Sequence, residues 1–190
     1  NGYVNYGKKI PEYDFTASVY NASITKLNFG NRDESATLSF KIKTTGKGIN
    51  PDDLRGNINM SNISFCEFGK EYNFKDLDVK AEEFVDSTKK ITLFSEVVNL
   101  NFEGKFNFEE IPTVFMAILS KAVPSLFDNR VVNITSDENF KYKIEIVDFT
   151  KIQQLFIQEL EISKNVVFDG RFDSKQDIFR FTGKNIAKIK

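Results

Sequence analysis

Regular alternation of apolar and polar residues limits what this chain can fold into. From residue 92 to 108 the even positions include Phe94, Val98, Leu100 and Phe102, whereas the odd positions from 95 onward are mostly Ser, Asn, Glu and Lys. Similar alternation occurs at 13–20, 36–43, 58–65, 72–79, 140–146, 160–169 and 178–182. Successive side chains of a strand point to opposite faces, so this period predicts strands with one apolar and one polar face. Parallel strands buried on both faces would be uniformly apolar, so we predict a mainly antiparallel β protein.

Two segments depart from this alternation and have apolar residues at helical spacing. The first, residues 110–122, begins with acidic residues and Pro112, which favour a helix N-terminus. Its apolar side is formed by Ile111, Phe115, Ile118 and Leu119. The second is residues 149–159. We therefore predict a mainly β fold with two helices, arranged either as an elongated, curved antiparallel sheet around a groove or as a two-layer β-sandwich.

The composition excludes several classes of chemistry. The 190 residues contain no His, one Cys and a net charge of −1. Without His there is no Ser/His/Asp or Cys/His nucleophilic system and no His-containing metal site. The charge lacks the basic excess that nucleic-acid binding needs. We expect no enzyme activity, no metal, no cofactor and no nucleic-acid partner.

Adjacent acidic residues are the remaining candidates for acid–base catalysis. They occur as three pairs, at 52–53, 82–83 and 109–110. Neighbouring side chains point to opposite faces of a strand and diverge on a helix, so none of these pairs forms a dyad by itself. A hydrolase would require carboxylates brought together from distant parts of the chain.

Three glycines sit in similar local sequences. Gly56, Gly104 and Gly170 each follow an apolar and a charged residue and precede a polar or charged residue, an apolar residue and Asn or Asp. A glycine inside a strand marks either a bend or a place where another group approaches the backbone closely. Both interpretations stay open at this point.

Several stretches together resemble the repeat region of the TamB/AsmA-like translocation and assembly proteins of Bacteroides-type bacteria. They read YDF at 13–15, NASITKL at 21–27, NINMSNISF at 57–65, GKEY at 69–72, FKDLDVKA at 74–81, KITLFS at 90–95, LNFEGKF at 100–106 and VPSL at 123–126. The resemblance spans about residues 12–190 and consists of alternating strands around an apolar-x-Gly-x-apolar centre. It identifies the chain as one β-rich interior segment of a larger protein, divisible into two repeats at about 12–127 and 128–190.

The resemblance implies a long sheet folded into a trough whose apolar interior conducts phospholipids. Members are periplasmic, are anchored in the inner membrane by a helix outside this chain, and contribute to outer-membrane assembly. The implied partners are phospholipid acyl chains and, through the full-length protein, outer-membrane assembly proteins. The helix at 110–122 is expected to gate or cap the groove. The residues expected to face the groove are Leu38, Phe40, Ile42, Phe94, Val98, Leu100, Phe102, Phe106, Phe108, Leu160, Ile162, Val166, Phe168 and Phe172.

A second interpretation assigns the same residues to a dry core. A closed sandwich would use the 20 phenylalanines entirely for packing, and the protein would then be a scaffold or a protein- or glycan-binding module. Each buried aromatic side chain would contribute about 1.5–3 kcal/mol in that core. In an open groove, the same apolar face would need an apolar ligand to cover it. Periodicity favours neither arrangement.

Overall fold

The described residues of the chain form eleven β-strands. The computed structural model describes residues 1–26, 33–84, 86–111, 137–151, 164–176 and 178–184, together with positions 113 and 153. A 3-10 turn, Pro51–Asp53, follows the third strand. The strands are β1 Gly2–Asn5, β2 Glu12–Ser23, β3 Thr37–Lys47, β4 Arg55–Glu67, β5 Lys70–Phe74, β6 Leu77–Glu83, β7 Lys89–Phe94, β8 Val98–Lys105, β9 Asn139–Ile146, β10 Val166–Asp173 and β11 Ile178–Lys184.

All eleven strands belong to one open antiparallel sheet. The order is β1-β2-β3-β4-β6-β7-β8-β9-β10-β11, and β5 pairs with β4 beside β6. The long strand β4 therefore has two partners on one edge, β6 along Gly56–Met60 and β5 along Ile63–Glu67. The mainly β prediction is confirmed. Of the two predicted architectures, the open sheet is the one formed by the described residues.

Strand register places the apolar side chains on one face across the sheet. Phe102 lies opposite Ile91 on one side and Tyr142 on the other. Directly opposed residues of an antiparallel pair share a face, so this row extends the apolar face over β7, β8 and β9. The opposite face is polar, as at Asn101, which lies between Thr92 and Lys143.

Two bulges keep this face continuous along the longest strands. Asn21 and Asn62 have positive φ angles of 50° and 53°, and the register shifts beside each of them. Asn tolerates this left-handed conformation better than most residues, and one extra residue in a strand reverses which positions face inward. In β4 the apolar face thus changes from even positions before Asn62 to odd positions after it.

The core consists of an aromatic cluster at one end of the apolar face. This cluster comprises Ala81, Ile91, Phe102, Phe106, Phe140, Tyr142 and Phe172. The segment after β8 packs over it, because the Phe108 N–H donates to Asp52 Oδ1 at 3.0 Å and the Asn107 N–H donates to the Glu138 carboxylate at 3.0 Å. Glu138 is only 2% exposed, so these bonds lie inside the packed region. A smaller group at the other end comprises Ile24, Ala36 and Phe65.

Each of the three similar glycines lies where a neighbouring strand approaches its backbone closely. Gly56 and Gly104 have φ angles of +140° and +149°, a region that side chains other than hydrogen rarely enter. At Gly170 the Tyr142 ring lies over the backbone, and a Cβ there would come within 2.6 Å of Tyr142 Oη. An added Cβ would also collide with the backbone of β3 at Gly56 and of β9 at Gly104, so the close-approach interpretation made from the sequence applies to all three glycines.

Two predictions about β7 and β8 are corrected by the structure, and the two predicted helices lie almost entirely outside the described residues. The even series from 92 to 108 is two strands, because β7 ends at Phe94 and β8 begins at Val98. Phe94 pairs with Asp78 on the polar face and is 57% exposed, so the prediction that it faces inward is wrong. The helices predicted at 110–122 and 149–159 lie outside the described residues except for their first positions.

Candidate functional site

An apolar cavity of about 480 Å³ lies on the apolar face, beside the aromatic cluster. Every strand from β4 to β9 contributes to its wall. Its apolar lining is aliphatic apart from two phenylalanine rings: Ile63, Phe74, Leu77, Leu93, Val97, Val98, Ile144, Ile146 and Phe149. The volume is within the range of about 300–1,000 Å³ that small-molecule sites occupy.

The cavity exists because neighbouring strands differ in length. β4 has 13 residues and pairs with both β5 and β6, whereas β7 has six residues and pairs with β6 and β8. Among the described residues, no strand pairs with the outer edge of β5. No described residue therefore covers the apolar face between β5 and the turn at 95–97.

A charged group closes this outer edge. Lys151 Nζ donates to the Asn73 carbonyl at 2.5 Å and to Glu96 Oε1 at 2.6 Å. It also lies 5.3 Å from the centre of the Phe74 ring. Glu96 accepts a further hydrogen bond from the backbone N–H of Lys75 at 3.1 Å. These contacts connect β5, the β7–β8 turn and the segment after β9.

Glu96 is ionised at neutral pH. Burial by itself disfavours the charged carboxylate, but the hydrogen bonds from Lys151 and from the Lys75 N–H keep the pKa of Glu96 below its ordinary value. The carboxylate therefore holds the Lys151 ammonium at the boundary of the cavity.

A polar depression of about 790 Å³ adjoins the cavity at this boundary. The two spaces share three lining residues, Lys75, Ser95 and Glu96, which we call the rim. Beyond the rim the depression is lined by polar and acidic residues and one exposed ring: Asp76, Asp78, Phe94, Asn99 and Asp148. Apolar and polar spaces thus meet at one end of the sheet.

Apart from Phe94, the residues predicted to face the groove or to form the capping helix fall into three groups. Those whose register places them on the apolar face are Leu38, Phe40, Ile42, Val98, Leu100, Phe102, Val166, Phe168 and Phe172. Phe106, Phe108 and Ile111 belong to or pack against the aromatic cluster. Leu160, Ile162, Phe115, Ile118 and Leu119 lie outside the described residues. Within the predicted set, Val98 lines the apolar cavity.

Sequence reasoning missed most of the cavity wall. Ile63, Phe74 and Leu77 belong to alternating segments that were recognised as strands, but nothing in them indicated which strands would leave a gap. The available signal was Lys75-Asp76, a charged pair that interrupts the alternation between Phe74 and Leu77.

The aromatic cluster is closely packed. The ring centres of Phe102 and Phe140 are 5.6 Å apart, as are those of Phe140 and Phe172. Phe140 is 1% exposed. Such separations are typical of attractive aromatic pairs. One end of the apolar face is therefore a dry core, and the neighbouring part is an open cavity.

We expect the phenol of Tyr142 to ionise late. Burial, with a smaller contribution from the charge of Asp169, raises the pKa of Tyr142 to about 12 from an ordinary value of 10.0. The folded protein then keeps a proton that the unfolded chain loses above pH 10, so stability should fall between pH 10 and about 12. Absorbance titration of phenolate should show a step near pH 12 that is absent in Tyr142→Phe; an unchanged titration curve in this variant would contradict the assignment.

The chain was compared with protein families, curated proteins and solved structures. No family model, no curated protein and no solved structure matches this chain. Nothing helical in the described part of the chain has the length and apolar character of a membrane span. Within the same residues, His, Cys, Asp and Glu side chains form no group of three or more that could hold a metal ion.

Proposed function

We propose that this chain is a non-enzymatic segment of a periplasmic TamB/AsmA-like envelope protein that accommodates phospholipid acyl chains on its apolar sheet face. The observation that carries the proposal is the apolar cavity of about 480 Å³ on the part of that face that the described residues leave uncovered. The family likeness of the strand sequences supports the envelope setting. Attachment to the inner membrane would depend on parts of a longer protein.

The energetics favour an acyl ligand. Each methylene buried in an apolar site gains about 0.8 kcal/mol, so about ten methylenes would gain about 8 kcal/mol before the cost of immobilising the chain. This gain needs no specific polar contact with the tail. Apolar side chains would replace the bilayer, and binding would be passive and reversible.

The other face of the sheet supports the same role. Its side chains are polar or charged, as at Lys41, Asn59 and Lys143. This face stays in water while the apolar face contacts the lipid. A sheet that differs so strongly between its faces can present a ligand surface without becoming insoluble.

Lipid content of the purified protein tests the proposal. We expect native mass spectrometry followed by organic extraction to detect copurified phospholipid. Leu93→Trp should lower the bound fraction about 15-fold, because the larger side chain displaces about two methylenes, worth about 1.6 kcal/mol. The matched control is Phe94→Trp, since Phe94 is adjacent in sequence but lies on the polar face.

Fold integrity must be checked in both variants. Overpacking at Leu93 costs about 1–3 kcal/mol, so the comparison uses variants that keep a cooperative thermal transition. A wild-type protein that carries no lipid and takes up no uncharged apolar fluorophore, such as N-phenyl-1-naphthylamine, would contradict the proposal. Equal losses in the two variants would exclude the cavity as the site.

A further inference from the structure

Another depression, of about 340 Å³, lies on the polar face of the sheet. Its lining includes Glu103, Lys141 and Arg171, which are directly opposite one another on β8, β9 and β10 and therefore share that face. None of its described lining residues belongs to the apolar cavity. What this depression binds is therefore independent of the acyl ligand proposed above.

The lining of this space, which we call the basic depression, carries an excess of positive charge. Its charged side chains are three cations, Lys105, Lys141 and Arg171, and one carboxylate, Glu103. The excess is thus two positive charges in a chain whose net charge is −1. Glu103 also interacts with a cation outside the lining, because its Oε2 lies 4.0 Å from Lys90 Nζ. The one carboxylate of the lining therefore does not neutralise it.

Charges just outside the lining do not cancel this excess. The two cations there are Lys90 and Arg180, which lie directly opposite residues of the lining. The two carboxylates are Asp86 and Asp173, which interact with cations of the lining. Two positive and two negative charges balance, so the excess of two positive charges remains.

Three cations lie side by side at the basic depression. Lys141, Arg171 and Arg180 are directly opposite one another on three successive strands, and all three are exposed. Like charges in directly opposed positions destabilise a sheet. A bound anion would reduce this repulsion, so the arrangement indicates an anionic ligand.

The fold holds Arg171 in a defined position. Its Nη2 donates to Asp173 Oδ2 at 3.4 Å and to Asn139 Oδ1 at 3.5 Å. Asp173 is 3% exposed, so it anchors the guanidinium from inside the protein. The Nε and Nη1 donors of Arg171 have no acceptor among the described residues. Guanidinium donors suit phosphate oxygens especially well, so Arg171 can bind such a group while keeping its anchor.

We propose that the basic depression binds a phosphoryl group in its dianionic form. A phosphate monoester carries a charge of about −1.5 to −2 at pH 7, which matches an excess of two positive charges. The Lys105 and Lys141 ammonium groups would pair with its oxygens, and Arg171 would donate to it from β10. A carboxylate or a sulfate ester carries a single charge and would leave part of the excess uncompensated.

Two probes of similar size test the charge requirement by calorimetric titration at low ionic strength. Phenyl phosphate is mainly a dianion at about pH 8, whereas phenyl sulfate is a monoanion. We expect phenyl phosphate to bind about tenfold tighter than phenyl sulfate. The double variant Lys105→Gln/Lys141→Gln should weaken phenyl phosphate binding about tenfold. Arg171 is retained in this variant, because its removal would leave the buried Asp173 carboxylate without its counter-charge.

The matched control is Lys41→Gln/Lys43→Gln, which removes two exposed lysines from the polar face of β3, outside the basic depression. It should leave phenyl phosphate binding within about twofold of the wild type, because distant surface charges are largely screened. Equal weakening by the two double variants would overturn the proposal. Equal affinity for phenyl phosphate and phenyl sulfate would overturn it as well.

A second arm identifies the source of the phosphoryl group. Phosphatidylcholine vesicles are compared with and without phosphatidic acid, whose head group is a phosphate monoester. Binding of the phosphatidic acid vesicles but not of phenyl phosphate, lost in Lys105→Gln/Lys141→Gln, would assign the phosphoryl group to a lipid at a membrane surface. Binding of phenyl phosphate in solution would assign it to a free phosphorylated compound. Failure of both probes to bind would overturn the proposal and leave the acyl proposal untouched.

Discussion

Replacement of Phe140 by Ala is expected to lower the free energy of unfolding by about 3–5 kcal/mol. Phe140 is 1% exposed and its ring lies 5.6 Å from those of Phe102 and Phe172 and 5.9 Å from that of Phe106. The substitution removes apolar burial and leaves a cavity between aromatic neighbours from β8 and β10, which are held by their own strands and cannot collapse into it. Urea denaturation followed by circular dichroism measures the loss.

Phe94→Ala is the matched control for this experiment. It removes the same side chain from the polar face, where Phe94 is 57% exposed, and should change the free energy of unfolding by less than about 1 kcal/mol. The comparison also tests the assignment of faces. A loss at Phe94 as large as that at Phe140 would mean that the register of β7 is wrong.

Gly104→Ala is expected to cost about 3 kcal/mol or more. Gly104 has a φ angle of +149°, and an added Cβ would lie 2.5 Å from the Phe140 Cα and would also collide with the Asn139 carbonyl oxygen. Backbone strain in such a region costs about 1–3 kcal/mol, and the collision with β9 adds to it because neither contact is a flexible side chain. The thermal transition and urea midpoint should both fall.

Gly69→Asn is the control for the glycine substitution. Gly69 also has a positive φ angle, +73°, but lies in the tight turn between β4 and β5 with no atom within 4 Å of an added Cβ. Asn is common in such turns, so this variant should stay within about 1 kcal/mol of the wild type. If Gly104→Ala were as well tolerated as Gly69→Asn, the close approach of β8 and β9 would be wrong.

Most of the sheet could be predicted from the sequence because its strands alternate strongly. The face on which Phe94 lies could not be predicted, because the turn between Phe94 and Val98 interrupts the two-residue period of the strands. The Ser95 hydroxyl forms this turn by donating to the Val98 carbonyl at 2.7 Å and accepting from the Val98 N–H at 3.0 Å. The apolar face is therefore formed by odd positions in β7, before this turn, and by even positions in β8, after it.

The candidate site was less predictable than the fold. Its cavity depends on where β7 ends relative to β5, and this is decided by pairing between segments that are distant in sequence. Lys151 lies 78 residues from Asn73, the residue whose carbonyl it contacts. Local periodicity carries no information about such a contact. Alternation predicts which face is apolar, but not which part of that face remains uncovered.

The contact between Lys151 and Asn73 also bears on self-association. An unpaired strand edge offers free carbonyl and N–H groups to another chain and is a common starting point for aggregation. At β5 the Lys151 ammonium donates a hydrogen bond to the Asn73 carbonyl, and its bond to Glu96 holds it in this position. An incoming strand would have to displace this ammonium before it could pair at that position. The sheet can therefore leave its apolar face accessible at this point without inviting intermolecular strand addition.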